Sequence, residues 1–132
     1  MNQAVKSTLD IEHFEAGQVD AEQFDHEAHV HIGWLYLQRF DTAEAIGRFD
    51  SALRRLTEQL GVPDKYHATI TWLFLLLINE RSRVDESWNA FRNRNPELVE
   101  ESGSTLRRYY SDAVLFSDEA RKRFVLPDRL AL

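Results

Sequence analysis

The sequence predicts an all-α protein, a compact single-domain bundle of about six or seven helices. Apolar residues recur at three- and four-residue spacings, and strand-like alternation is nowhere sustained. Glycine and proline are few, and Gly17, Gly61, Gly103 and the three prolines fall at or between the ends of the predicted helices. Because 132 residues of which 43% are hydrophobic can bury one core, we expect one domain over residues 1–132. Residues 1–6 are expected to form a disordered tail and residues 125–132 an extended one.

The first two helices are predicted from a cap, a glycine and an apolar run. A short helix over residues 7–15 would have Ser7 as its N-cap, and Gly17 follows its end. A longer helix is expected from about residue 21 to residue 40, because FDHEAHVHIGWLYL leads from polar residues into an aromatic, apolar stretch.

The third helix has a clear start signal. In DTAE, Asp41 is an N-cap candidate and Glu44 follows three residues later, as in a capping box. Gly61 and Pro63 predict the end of this helix. Its apolar residues form one stripe: Ala45, Ile46, Phe49, Ala52, Leu53, Leu56 and Leu60.

A central helix and several peripheral elements are predicted after it. Residues 65–79 are apolar nearly all round, which is typical of a helix covered on several sides. In VDESWNAF, Asp85 is the expected N-cap of the next helix, and Pro96 is expected to end it. The last predicted elements are a loop in EESGS at 100–104 and helices over 105–116 and 117–124.

The second and third helices also admit a different architecture. Five residues fall at the spacings of a tetratricopeptide hairpin: Gly33, Tyr36, Ala45, Phe49 and Ala52. A weaker copy consists of Val84, Trp88, Phe91 and Pro96. Two poor copies fall short of the three or so repeats that a solenoid needs. The alternative to a compact bundle is therefore a helical-hairpin protein-interaction module in which the histidines are purely structural.

Composition and charge argue against several classes of function. The formal net charge is −6, so phosphate groups are repelled on average and no nucleic-acid partner is expected. The lack of cysteine excludes disulfides, thiolate metal sites and cysteine nucleophiles. No Gly-rich phosphate loop or nucleotide fingerprint occurs, so no nucleotide cofactor is expected. Without an apolar leader or a run of about 20 apolar residues, we expect a cytoplasmic protein with no membrane partner.

Histidines form the main candidate site. At ~100° per residue, His26 and His29 share the core-facing side of the second helix, whereas His31 points away and is expected to be solvated. His67 opens the central helix and shares a face with Ile70, so it also points inward. Two imidazoles one helical turn apart can reach one ion, but such a site needs a third protein ligand. We therefore predict a metal site formed by His26, His29 and His67.

Two interpretations of these histidines remain open. They are either three separate core side chains, each with its own hydrogen-bond partner, or one shared site that satisfies them together. A shared all-nitrogen site suits one divalent transition metal, Zn, Fe, Cu or Ni. Without a metal, His26 or His67 could act as a general base. Five further residues are candidates for orienting the ligands or binding a substrate: Glu15, Tyr66, Thr69, Arg108 and Tyr109.

Several short motifs resemble a bacterial family of uncharacterised helical proteins. They are FEAG at 14–17, F-x-H-x-x-H at 24–29, YHAT at 66–69, RYYS at 108–111 and F-x-x-P-D at 124–128. The resemblance covers most of the chain and implies that His26, His29 and His67 belong together. Members of that family often have Glu where this chain has Ala68. If that Glu is a ligand or a base, this chain lacks it, and the resemblance implies no particular reaction.

Together these observations predict a small helical protein with a buried histidine site that binds a metal ion and a small molecule. A metal-dependent enzyme is one form of that prediction, while the reaction, the substrate and the oligomeric state stay open. The prediction requires the three histidines to converge beside a cavity. An interaction module would instead have dispersed histidines and an exposed apolar groove.

Overall fold

The computed structural model describes residues 9–129, and these residues form only helices and the segments that join them. The expected all-α class is confirmed, but the described residues hold nine α-helices where six or seven are expected. In chain order they are α1 (Ile11–Glu15), α2 (His26–Arg39), α3 (Thr42–Gln59), α4 (Ala68–Arg81), α5 (Trp88–Arg94), α6 (Pro96–Val99), α7 (Ser102–Tyr109), α8 (Asp112–Leu115) and α9 (Asp118–Lys122). A 3₁₀ helix, Pro63–Lys65, lies between α3 and α4.

Both predicted tails extend beyond the described part of the chain. Ser7 and the expected tail over residues 1–6 lie outside it entirely. Residues 125–129 contain neither helix nor strand, and residues 130–132 lie outside the described part.

Aspartate side chains cap the first three helices. Each accepts a hydrogen bond from the backbone N–H three residues further on, at 2.8 Å for Asp10, 2.9 Å for Asp25 and 2.8 Å for Asp41. The predicted cap at Asp41 is thereby confirmed. The other two caps place the start of α1 at Ile11 and the start of α2 at His26, later than the sequence predicts.

The predicted division of residues 85–124 is wrong at three points. Ser87, not Asp85, caps α5, because the Ser87 hydroxyl accepts a backbone N–H while Asp85 has a φ of 61° in the preceding turn. Pro96 follows the end of α5, as predicted, and it also begins α6, because the first turn of a helix does not need the N–H that proline lacks. The predicted loop at 100–104 contains the start of α7.

The third error is the single helix predicted over residues 105–116, which is divided in two. Tyr110 adopts extended backbone with a φ of −131°, and Ser111 then caps α8. The side chain of Tyr110 is fully buried and its hydroxyl donates to the carbonyl of Val125. Burial of this one ring in the core therefore sets the break between α7 and α8.

The central position predicted for the apolar helix is confirmed. α4 contacts α2, α3 and α9. One apolar cluster joins α1, α2 and α3, and a second joins α2 and α4 to the short helices that follow. α2 and α4 approach closely, because a Cβ atom on Gly33 would lie only 3.0 Å from Cδ2 of Leu75. This crossing holds the beginning of α2 beside the beginning of α4, where the candidate site lies.

None of the helices in residues 9–129 combines the length and the apolar character needed to cross a membrane.

Candidate functional site: the histidine cleft

The three predicted histidines line one cleft of about 360 Å³. It lies between the beginning of α2, the second half of α3 and the beginning of α4. Its lining residues define what we name the histidine cleft: Ala21, Phe24, Asp25, His26, His29, Leu53, Leu56, Thr57, Leu60, Val62, Lys65, His67, Ile70 and Thr71. The sequence therefore identified two segments, about forty residues apart, that meet at one open space.

His67 uses both ring nitrogens to hold the fold together. Its Nδ1 accepts the backbone N–H of Ile70 at 3.2 Å and so caps α4. Its Nε2–H donates to the carbonyl of Leu115 at 2.7 Å and so fastens α8 to α4. Burial lowers the pKa of His67, although its hydrogen bond to Leu115 acts in the opposite direction. His67 therefore contributes a ring to the wall of the histidine cleft but no unused nitrogen.

His26 has one nitrogen committed and one not. Its Nε2 lies 2.8 Å from the carbonyl of Leu98. A carbonyl only accepts hydrogen bonds, so Nε2 must carry the proton, and in the neutral ring Nδ1 is then an acceptor. The edge of the ring packs on Phe74, with ring centroids 4.8 Å apart and an interplanar angle of 72°. The fold thereby fixes both the orientation and the tautomer of His26.

His29 lies deeper, between aromatic rings. It stacks on Phe49 with ring centroids 5.1 Å apart and an interplanar angle of 6°, and Phe24 lies 5.8 Å from it on the same measure. No side chain or carbonyl in residues 9–129 makes a hydrogen bond with its ring. Burial, and then the neighbouring His26, lower the pKa of His29 to about 4. The ring is consequently uncharged at neutral pH.

Thr71 adds a third polar group beside the two rings. It is 2% exposed, and its hydroxyl has no hydrogen-bond partner in the described part of the chain. A small void of about 10 Å³ lies next to the histidine cleft and shares His26, His29 and Thr71 with it. The void is about the size of one water molecule. Its other lining residues are apolar, so these three residues supply the polar side chains that an atom in the void can meet.

None of these three polar groups is sealed from open space. Among the described residues, Trp34 is alone in having a side-chain nitrogen or oxygen that is both fully buried and unpartnered. The unpaired nitrogens of His26 and His29 and the hydroxyl of Thr71 therefore keep at least a small exposed area. Buried polar groups in proteins nearly always have a partner. Their accessibility beside a cleft indicates that the partner is a solvent or ligand atom.

The rest of the histidine cleft is mainly apolar. Leu53, Leu56 and Leu60 of the α3 segment form one wall, and Val62 and Ile70 face them. At the mouth lie one acid and one base, Asp25 and Lys65, and both are exposed. The Asp25 carboxylate already accepts the N–H that caps α2. The interior therefore offers apolar contacts and a few uncharged polar groups.

The metal site of His26, His29 and His67 stays a prediction, and these side chains are not arranged as ligands of one ion. In residues 9–129 no group of three or more His, Asp or Glu side chains is arranged to hold a metal ion. The physical reason lies in the hydrogen bonds, since both nitrogens of His67 and one nitrogen of His26 are already bonded to backbone atoms. A metal ion held by all three histidines would have to displace a hydrogen bond of His67.

The five residues predicted to orient ligands or bind a substrate do not contact the three histidines through hydrogen bonds. Glu15 instead accepts the Tyr36 hydroxyl at 2.9 Å and pairs with Arg48 at 3.1 Å. Burial acts to raise the pKa of Glu15, but the hydrogen bonds from Arg48 and Tyr36 outweigh it and lower that pKa. Glu15 thus joins α1 to α2 and α3. It does not orient an imidazole.

Tyr66 and Thr69 flank the histidine cleft but face away from it. The Tyr66 hydroxyl donates to Asp50 on α3. The Thr69 hydroxyl donates to the Arg123 carbonyl at 3.0 Å and accepts the Val125 N–H at 3.1 Å. Both residues therefore fix neighbouring segments around α4.

Arg108 and Tyr109 lie on α7 and do not line the histidine cleft. Arg108 is exposed, and Tyr109 is half-buried while its neighbour Tyr110 fills the core. The expectation that His31 is solvated is also wrong, because its half-buried ring stacks on Trp88 at a centroid distance of 4.3 Å. Tertiary packing by α5, which the helical wheel of α2 does not include, covers it.

Two features of the site were missed by sequence reasoning. Thr71 and Lys65 belong to the lining, and the α3 wall supplies most of the apolar contact. Thr71 had a detectable signal, since it interrupts the apolar run of α4 one turn after His67. The α3 wall had none, because its leucines fit a core stripe equally well.

Comparison of the chain with protein-family models, with curated proteins and with solved structures found no match. The resemblance to a bacterial helical family stays a prediction, and the role of the histidine cleft follows from the chemistry of its own residues.

Proposed function

We propose that the protein binds a small organic molecule in the histidine cleft, with the polar end of the ligand on His26, His29 and Thr71 and its apolar part against the α3 wall. The observation that carries this proposal is the unpartnered, accessible ring of His29 in the wall of the cleft. A ring placed there without a hydrogen-bond partner costs free energy unless another molecule supplies one.

Size and lining support a ligand of low molecular weight. Small-molecule sites typically measure ~300–1,000 Å³ and combine apolar walls with a few converging polar groups. The histidine cleft, at about 360 Å³, falls in the lower part of that range. Like those sites, it combines apolar walls, which contact the body of a ligand, with three polar groups, which bind its polar end.

The shared lining also favours this function over a protein-interaction module with purely structural histidines. That alternative requires dispersed histidines, whereas all three line one cleft. His67 uses both of its ring nitrogens in hydrogen bonds that hold the fold. The proposal therefore depends on His26 and His29.

A screen of uncharged and charged aromatic fragments by ligand-observed NMR tests the proposal. In protein labelled with ¹⁵N-histidine, a fragment bound in the cleft should shift the ring resonances of His29. Ala21→Trp and Val62→Trp place an indole at two sides of the mouth and should abolish that shift. Ala43→Trp adds the same ring to an exposed position on α3 and should leave it unchanged. Fragments that bind equally to all four proteins would overturn the proposal.

A metal ion belongs to the same test, because the proposal as stated needs none. Protein purified without an affinity tag is analysed for Zn, Fe, Cu and Ni beside His29→Ala and His67→Ala. Sub-stoichiometric metal in all three samples would contradict the prediction that the histidine site depends on a metal ion. One equivalent of metal that both substitutions remove would instead show that His67 gives up its bond to Leu115 to bind it.

A further inference from the structure

The hydrogen-bonding capacity of the three polar groups specifies a type of ligand atom. Because Nε2 of His26 donates to the Leu98 carbonyl, its Nδ1 can only accept in the neutral ring. His29 and Thr71 can each donate and accept. The rings of His26 and His29 have centroids 6.4 Å apart, a spacing that one oxygen or nitrogen atom can bridge. The matching ligand atom donates to His26 and accepts from His29 or Thr71.

Charge at the histidine cleft is balanced. Lys65 and Asp25 stand at the mouth with opposite signs, and no other lining residue carries a permanent charge. A carboxylate or an ammonium group that entered the cleft would lose water and find no fixed counter-charge beside His29. The α3 wall is apolar and offers no polar group that would replace the lost water.

On the premise that the cleft binds a small molecule, we propose that its ligand is an uncharged compound whose inner end carries a hydroxyl group. The hydroxyl donates to Nδ1 of His26 and accepts from the ring of His29 or from Thr71, while the apolar body lies against Leu56. The low pKa of His29, about 4, keeps that ring uncharged and so removes the cation that an anionic head would need. The void of about 10 Å³ that the three residues line together with four apolar ones has the size of a single polar atom.

A matched pair of probes and two charged compounds test this assignment. Phenol carries the hydroxyl donor, and anisole keeps the same ring and the same oxygen without it. Benzoate and benzylammonium supply the two charges. We expect phenol to bind at least tenfold more tightly than anisole or the charged compounds, as measured by the ¹⁵N-histidine shifts on titration. His26→Phe removes the acceptor of the ligand's donor and should reduce the preference for phenol over anisole to less than threefold. Thr71→Val and His29→Phe remove the groups that donate to the ligand oxygen, so at least one of them should weaken phenol and anisole alike, whereas Ala43→Trp should change neither.

Three outcomes would overturn the inference while leaving the proposed function intact. They are tighter binding of benzoate that Lys65→Met removes, equal binding of the methylated and donor-bearing probes in the cleft, and cleft fragments from the screen that are all charged or lack a donor. If no fragment of the screen perturbs His29, the proposed function itself fails. The comparison of phenol with anisole uses the wild-type protein, so the inference is tested even if a histidine variant does not fold.

Discussion

The imidazole ring of His29 lies parallel to the phenyl ring of Phe49, with centroids 5.1 Å apart and 6° between the planes. A proton on this ring would place a positive charge where little water can reach it. Burial is the first cause of the low pKa of His29 and the neighbouring His26 is the second. Burial beside Phe49 therefore makes His29 an uncharged hydrogen-bonding group at neutral pH and a destabilising one in acid.

The first prediction concerns stability in acid. An unfolded histidine takes up a proton near pH 6.5, whereas His29 in the folded protein does so near pH 4. Between these values the unfolded chain binds more protons, so the free energy of unfolding rises with pH and is lost as pH falls from about 6.5 to about 4. The loss of stability from His29 should be on the order of 2 kcal/mol. This is less than the full pKa difference implies, because the ring is partly open to the cleft.

Urea unfolding at pH 7 and at pH 4.5, followed by tryptophan fluorescence, measures this loss in the free energy of unfolding. His31 and His67 have lowered pKa values for the same reason of burial, so they contribute to the loss in the wild-type protein. His29→Phe keeps an aromatic ring against Phe49 and removes one titrating group. The variant should lose less stability between the two pH values, and an unchanged loss would show that His29 is protonated without cost.

A second prediction compares two threonines on α4. Thr69 and Thr71 are both buried, at 0% and 2% exposure, but the hydroxyl of Thr69 has two backbone partners and that of Thr71 has none among the described residues. Thr69→Val should lower the free energy of unfolding by ~1–3 kcal/mol, because it leaves a carbonyl and an N–H unpaired. Thr71→Val should change it by less than about 0.5 kcal/mol or raise it. Equal losses in urea unfolding would contradict the hydrogen-bond assignment.

A third prediction compares two glycines. Gly33 lies where α2 crosses α4, and a Cβ there would meet Leu75 at 3.0 Å and Ile78 at 3.4 Å. Gly33→Ala should therefore destabilise the protein by ~1–3 kcal/mol. Gly47 is exposed on α3 with nothing within 4 Å of an added Cβ, so Gly47→Ala should stabilise it by ~0.5–1 kcal/mol. Thermal unfolding of both variants, with midpoints that move in opposite directions, is the expected result.

A fourth prediction separates the two hydrogen bonds of His67. His67→Asn retains a side chain that caps helices well but cannot reach Leu115, and His67→Ala loses both contacts. The asparagine variant should lose ~1–3 kcal/mol of stability for the unpaired carbonyl, and the alanine variant about 1 kcal/mol more for the lost cap. Circular dichroism on urea titration gives both values. Equal losses of stability in the two variants would mean that the cap on α4 does not stabilise the fold.

Much of this fold follows from local signals, but the choice between equivalent signals does not. The N-cap role of Asp41 could be predicted because this acid is followed by Glu44 three residues later. Asp85 and Ser87 are both good caps, and only the packing of Trp88 and Phe91 decides for the second. The break at Tyr110 likewise depends on burial of its ring, which no periodicity within α7 reveals.

The candidate site shows the same division. Helical geometry placed His26 and His29 on one face and turned His67 inward, and the three line one cleft. The partners of these rings could not be read, because the carbonyls of Leu98 and Leu115 lie far away in the sequence. Every residue has a carbonyl, so a backbone acceptor leaves no mark in the sequence.

The beginning of α4 also binds α8, α9 and the segment that follows them through hydrogen bonds. His67 holds Leu115, and Thr69 holds Arg123 and Val125, so α8, α9 and the segment after them are attached to the residues that border the histidine cleft. Segments tied in this way open together in amide hydrogen exchange. A ligand that touches only the cleft should then slow exchange in Asp112–Leu115 and Asp118–Lys122, which it never contacts.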